Sequence, residues 1–280
     1  LLLWLTAAAD RRVKDYATRA IVALLVAQPE VIPNIIARFL RVDDDEVLER
    51  VLVASYGAML NSRDLEVVRV VTDKVCKAFQ NAPTSFDNAL IRDHIRSIME
   101  LARQLDILPE GSDPELTMGS IASDWPLELP SDEEIKRWDN QDYPKLARSC
   151  LEDDFFIYSM DCLRPWEHGV PKEDMGKWIL KTVVYDFGYA GSGAERYDGY
   201  MLGKHGGGRG KLTWAERIGK KYQWVAMYHL ASRLHDHVER IPNKWDPEPL
   251  QTPLILLEER KLDPTLPHDI AQDEGEVDTW

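Results

Sequence analysis

Leu90-Ile91-Arg92-Asp93-His94-Ile95-Arg96-Ser97-Ile98-Met99-Glu100-Leu101-Ala102-Arg103-Gln104-Leu105 spaces Ile91, Ile95, Ile98, Ala102 and Leu105 three or four residues apart. That is the period of a helix with one buried face, and no other stretch of the chain keeps it so cleanly. Towards the N-terminus the period recurs. Leu65, Val68, Val71, Val75 and Phe79 make one face, and Val47, Leu48, Val51, Leu52 and Tyr56 another. The latter follows Asp43-Asp44-Asp45, whose charges favour a helix N-terminus. Ile32, Ile35, Ile36, Phe39 and Leu40 make a shorter face. The first of the set follows Asp10, a candidate N-cap. It puts Val13, Tyr16, Ala17, Ala20, Ile21 and Leu24 on one side, with Arg12, Lys14, Asp15 and Arg19 outside it.

Helix starts near residues 10, 45 and 88 lie 35 and 43 residues apart, with a partner helix inside each interval. These intervals bracket the roughly 40 residues of a HEAT or armadillo unit. Val13-Lys14-Asp15-Tyr16 is faintly echoed by Ile91-Arg92-Asp93-His94. The fold expected is mainly α: a HEAT/armadillo-like α-solenoid over residues 1–108, followed by an irregular, mostly helical C-terminal domain over residues 131–268. Residues 109–130 read as a linker because Leu108-Pro109-Glu110-Gly111-Ser112-Asp113-Pro114 and Trp125-Pro126-Leu127-Glu128-Leu129-Pro130 are rich in turn residues. Ser131-Asp132-Glu133-Glu134 restarts a helix with a capping box. Residues 269–280 form an acidic tail.

In the second half, Asp174 can cap a helix through Trp178, Ile179, Thr182, Val183 and Phe187, stopped at Gly188. A glycine-rich loop is expected from Gly188 to Gly210. Trp214 to Leu234 then reads as one long helix with two apolar stripes. Ile218, Tyr222, Ala226 and Leu230 make one stripe, and Trp224, Met227, Tyr228 and Ala231 the other. Burial on most sides makes this the central helix of its domain.

Composition narrows the function. Of 280 residues 44% are apolar, enough for a substantial core, so the chain as a whole is not disordered. A formal net charge of −14 argues against generic binding to nucleic acid or to an anionic membrane, which both need a positive surface. Cys76, Cys150 and Cys162 are odd in number and form no CxxC pair, as suits a reducing, cytoplasmic setting. No apolar run approaches the ~20 residues of a membrane span. Leu1-Leu2-Leu3-Trp4-Leu5-Thr6-Ala7-Ala8-Ala9 lacks the positive leading region of a signal peptide and runs straight into a helix. It reads as the end of an earlier helix, cut by a fragment boundary.

Patterns that suggest chemistry fail on inspection. Gly203-Lys204-His205-Gly206-Gly207-Gly208-Arg209-Gly210-Lys211 hints at a phosphate loop. The register is wrong, because His205 stands where glycine is required and Leu212 replaces the Ser/Thr that holds magnesium. A surface loop is the better reading. Lys204, Arg209, Lys211, Arg217, Lys220 and Lys221 nevertheless make the densest basic zone of the chain and are its candidate partner-binding residues. An acidic protein surface suits them better than nucleic acid, given the overall charge. His229 and His237 are eight apart, hence two helical turns from each other and too distant for one ion unless the helix ends near His235. His229 reads as a satisfied core histidine, and no metal ligand is assigned. Gly191-Ser192-Gly193 lacks the leading glycine of a nucleophile elbow, and neither serine nor cysteine has a local base. No catalytic residue and no cofactor site follow.

Several stretches, in order, resemble the C-terminal region of large bacterial STAND NTPases of the NACHT type, the group that includes the Avs antiviral sensors. They are Arg11-Arg12-Val13-Lys14-Asp15-Tyr16-Ala17-Thr18-Arg19-Ala20 and Val42-Asp43-Asp44-Asp45-Glu46-Val47-Leu48-Glu49-Arg50-Val51, which leads into Ala54-Ser55-Tyr56-Gly57. Leu90-Ile91-Arg92-Asp93-His94 comes next. The most specific is Glu216-Arg217-Ile218-Gly219-Lys220-Lys221-Tyr222-Gln223-Trp224-Val225-Ala226, ahead of Arg233-Leu234. Arg260-Lys261-Leu262-Asp263-Pro264-Thr265-Leu266 closes the set, and His235-Asp236-His237 departs from it by being more basic.

The resemblance implies that the ATPase module, with its ATP and magnesium, and an effector lie upstream in a parent protein. This segment would then recognise a protein ligand, such as a phage protein, and release the ATPase for oligomerisation. Aromatic anchors such as Trp138, Trp166 and Trp178 would serve where exposed. The alternatives are a non-catalytic HEAT-repeat scaffold and, less favoured, a metal-dependent hydrolase or nuclease built on the histidines and the glycine loop.

Overall fold

The computed structural model of the chain describes residues 1–81, 86–110, 112, 123–189, 191–205, 216–239 and 241. The acidic tail, the closing motif near Arg260 and most of the basic glycine stretch lie outside these residues.

Among the described residues the regular elements are twelve α-helices, joined by short 3-10 and π turns. The first half holds α1 (Leu2–Leu5), α2 (Arg11–Ala27), α3 (Ile32–Phe39), α4 (Asp45–Ser62), α5 (Leu65–Asn81) and α6 (Ala89–Gln104). Side-chain caps start the long ones. Asp10 accepts from the backbone N–H of Arg12, and Asp44 from those of Glu46 and Val47. Asn88 accepts from those of Leu90 and Ile91.

Packing in this half alternates. α2 lies against α4 and α4 against α6, while α3 lies against α5. The first three therefore share one layer and the other two a second, with α3 touching α4 and α5 touching α6 between them. Val68, Val71, Val75, Ile91, Ile95, Ile98 and Ala102 are wholly buried in the shared core, on the faces their spacing dictates.

The face of α2 is a correction. Its buried residues are Lys14, Ala17, Thr18, Ile21, Val22 and Leu25, each one position beyond the apolar set expected from the sequence. Val13, Tyr16 and Leu24 are exposed instead. One residue is a rotation of about 100° on a helix. Two carboxylates explain the turn: the Lys14 ammonium binds Glu46 and lies 2.6 Å from Glu216, so a lysine only 2% exposed is fully partnered.

The second half runs through α7 (Asp132–Arg137), α8 (Pro144–Leu151), α9 (Asp154–Ile157), α10 (Lys172–Lys181), α11 (Gly191–His205) and α12 (Ile218–His237). Ser131 and Glu134 form the expected capping box of α7. α10 begins at Lys172 behind Pro171, so Asp174 sits in its first turn rather than at its cap and acts there on the helix dipole. α10 crosses α8 so closely that a Cβ at Gly176 would stand 2.4 Å from the Cys150 carbonyl oxygen. Gly188, at φ +61°, turns the chain after α10, as a glycine stop should.

Residues 191–205 are helical where a glycine-rich loop was expected. Tertiary bonds outweigh the glycines. The Glu195 carboxylate accepts from the Lys145 backbone N–H at 2.6 Å, and the buried Asp198 accepts from Tyr189 Oη at 3.0 Å. A second apolar core gathers Trp138, Leu146, Met160, Leu163, Trp178, Ile179, Val183, Met227 and Leu230. α12 is its centre, touching α6, α8, α10 and α11.

Candidate functional site

α12 carries a row of charge along one side. Asp198 starts the helix from outside, accepting the N–H groups of Ile218 at 2.8 Å and Gly219 at 2.7 Å. Lys221, His229, Arg233 and Asp236 then follow at multiples of three or four residues and so share a side. This side meets the N-terminal ends of α4 and α6, where caps and dipoles already hold carboxylates.

Lys221 Nζ stands 2.8 Å from Glu46 and 3.7 Å from Asp44. His229 Nε2 is 2.6 Å from Asp45, which also accepts from Asn88 at 3.0 Å, and His229 Nδ1 faces Asp87 at 4.0 Å. Arg233 pairs with Asp87 at 3.1 Å, donates to the Asp124 carbonyl at 2.6 Å and stacks on Trp178. At the far end the sign reverses. The buried Arg92 of α6 donates to Asp236 at 2.8 Å, to Asp87 at 3.1 Å and to the Phe86 carbonyl at 2.8 Å. Ser123 Oγ completes Asp236 at 2.8 Å, and Trp125 stacks on His237. Lys14, joined to Glu46 and Glu216, closes the near end.

Proton affinities follow from these partners. Burial pushes Asp45 up, but the hydrogen bond and charge of His229, with Asn88, outweigh it and hold the carboxyl below its usual value. Burial raises Asp87 despite the pull of Arg233, His229 and Arg92. Burial opposes the charge on Lys221, yet Glu46 and Asp44 prevail and raise it.

Chemically the arrangement clasps. The His229 ring has a carboxylate facing each nitrogen, which fixes its orientation. His237 Nε2 turns to the Ser123 carbonyl at 2.5 Å. Among the described residues no group of three or more His, Cys, Asp or Glu side chains is arranged around a metal position. Burial drives the Cys150 thiol up to about 12, far from the thiolate that attacks.

Of the six basic residues singled out from the sequence, Arg217 and Lys220 lie half-buried at the start of α12, and Lys221 turns into the charged row. Lys204 lies in the last turn of α11, and Arg209 and Lys211 fall outside the described residues. Among the three tryptophans considered as anchors, Trp138 and Trp178 are buried, whereas Trp166 is 62% exposed and follows the exposed Tyr158. From the sequence His229 reads as a satisfied core histidine, and here it lies between Asp45 and Asp87. The same reading sets Lys14 on the outer side of α2 and Lys221 towards a partner, and links neither of them, nor Arg92, to a charged row. The row's one local signal is the regular spacing of Lys221, His229, Arg233 and Asp236 along one side of the helix.

Comparison of the chain with protein-family models, with curated proteins and with solved structures found no match.

Proposed function

We propose that this chain is the ligand-sensing, protein-binding C-terminal segment of a larger STAND-type NTPase in bacterial antiviral defence. The segment itself takes no cofactor, and ATP and magnesium act upstream in the parent. One observation carries the reading: α2 packs on α4, α4 on α6, and α3 on α5. Helices that meet every second neighbour make the two layers of a HEAT or armadillo stack, a form that grows by adding pairs and offers a long surface to protein partners. The outer side of α2 agrees with this. Val13, Tyr16 and Leu24 stand exposed at helical spacing, where a further pair of the same stack would cover them.

On this reading the ligand meets the second half. Trp166 and Tyr158 offer the exposed aromatic surface that protein hot spots favour, and the basic residues around Arg217 and Lys220 suit an acidic partner.

The test starts with the coding sequence upstream of the Leu1 codon. A continuous frame with a Gly-x-x-x-x-Gly-Lys-Ser/Thr loop is expected. The parent's ATP hydrolysis should then rise with a phage protein ligand, and Trp166→Ala should blunt that rise. A start codon next to Leu1, with no ATPase ahead of it, would leave the scaffold reading in its place.

A further inference from the structure

We infer that the charged row on α12 is a separable latch. The body built around Trp138 to Leu234 swings off the helical stack as a unit and docks again, and the ion pairs are the contact that breaks. This concerns the chain alone and stands whether or not the parent is an ATPase.

Three observations carry it. First, each side keeps its own core. The first cluster draws its buried residues from Ile21 to Ala102 and the second from Trp138 to Leu234. The apolar side chain of the first half that packs on the second cluster is the small Ala89, so parting uncovers little of either. Second, the surfaces that part are ionic. Lys14 and Glu46 meet Glu216 and Lys221; Asp45 and Asp87 meet His229 and Arg233; Arg92 meets Asp236. Charges taken from water lose hydration that their mutual attraction barely repays, and opening returns it. An apolar joint would instead leave greasy faces in water.

Third, the covalent path is divided cleanly. Leu105, Ile107 and Leu108 pack on the first core. Residues from Ser123 onward belong to the second body, through Ser123 to Asp236, Trp125 to His237 and Glu128 to Lys181. Among the described residues, the change from the first body to the second falls between Leu108 and Ser123. The Glu216 N–H to Ala9 carbonyl bond, at 2.8 Å, must break with the ion pairs.

Carbodiimide coupling of the whole chain reads the latch directly. It condenses a lysine amine with a touching carboxylate into an amide, the carbodiimide taking up the water, and adds no spacer. Closed chains should yield Lys221–Glu46 and Lys14–Glu216 links, counted by mass spectrometry against Lys172–Asp161, a 2.5 Å pair inside the second body.

Raising salt from about 0.1 M to about 1 M shortens the screening length from about 10 Å to about 3 Å. The seam links should then fall several-fold relative to Lys172–Asp161, with the helical circular dichroism signal unchanged. Arg233→Glu, which sets a carboxylate against Asp87, should give the same fall at low salt. A seam-to-control ratio that salt and the variant both leave alone would overturn the latch. So would a ratio that falls only together with the helical signal, because that is unfolding.

Discussion

In the first hundred residues helix meets helix through aliphatic faces, whereas the two halves of the molecule meet through charge. Ile91, Ile95 and Ile98 are wholly buried among other apolar side chains. At the joint the comparable positions hold Arg92, Arg233, His229 and Lys14. The difference teaches where the molecule resists change and where it can give. Apolar contact stabilises in proportion to the area removed from water and is lost when it opens. A network of buried ions fixes an orientation while contributing little net stability.

Cutting into the cores should have the largest effect. Trp138→Ala, at a side chain 1% exposed, should cost about 3–5 kcal/mol, and Ile95→Ala about 2–5 kcal/mol, in urea unfolding. Breaking the joint on one side is next. Arg92→Ala leaves Asp236 and Asp87 short of a partner, but Arg233 and Ser123 remain and an opened joint returns these carboxylates to water, so the cost should be about 1 kcal/mol. A loss below about 0.5 kcal/mol, the size of an ordinary surface change, would show the joint to be solvated and break the contrast.

Acid should weaken the second half before the first. His168 donates from Nε2 to the Leu163 carbonyl and accepts the Val170 N–H on Nδ1, which fixes a neutral tautomer. Burial holds its proton affinity below the ordinary 6.5. The unfolded chain therefore binds the proton first, so the stability His168 contributes is present above 6.5 and is lost as pH falls through the lower folded value. Asp45, also lowered, acts in the same sense only below its ordinary 3.8, and the raised Asp87 acts oppositely from 3.8 upward. Thermal unfolding followed by tryptophan emission should show a midpoint that drops between about pH 7 and about pH 5. His168→Gln should lessen that drop without removing it, because desolvation lowers His235 in the same sense. The smallest effect on stability belongs to Trp166→Ala, within about 0.5 kcal/mol at an exposed site, although it should weaken the ligand response.

Local pattern told most of the helices and little of how they meet. The faces of α5 and α6 and the capping box of Ser131 and Glu134 depend on residues a few positions apart, and these were legible. By contrast α4, read with one face, is buried almost all round and leaves its Tyr56 half-buried. The phase of α2 was not legible either. Periodicity says that a helix has a face, but the burial of Lys14 is decided by Glu46 and by Glu216, 202 residues on. α11 was hidden because glycine propensity argues for a loop, while Asp198 and Glu195 gain their partners only in the folded core. The charged joint pairs His229 with Asp45 across 184 residues, a match no local spacing encodes.

The contrast between apolar stack and ionic joint is open to one direct measurement, urea unfolding followed by two probes at once. Of nine tryptophans, only Trp4 precedes Trp125, and it is 81% exposed, so tryptophan emission reports the second half. Far-ultraviolet circular dichroism reports helices in both. At about 1 M salt, where screening weakens the joint, the two curves should separate, each half melting on its own core. Curves that coincide at low and high salt alike, as a single two-state transition, would contradict the account and make the two halves one cooperative body.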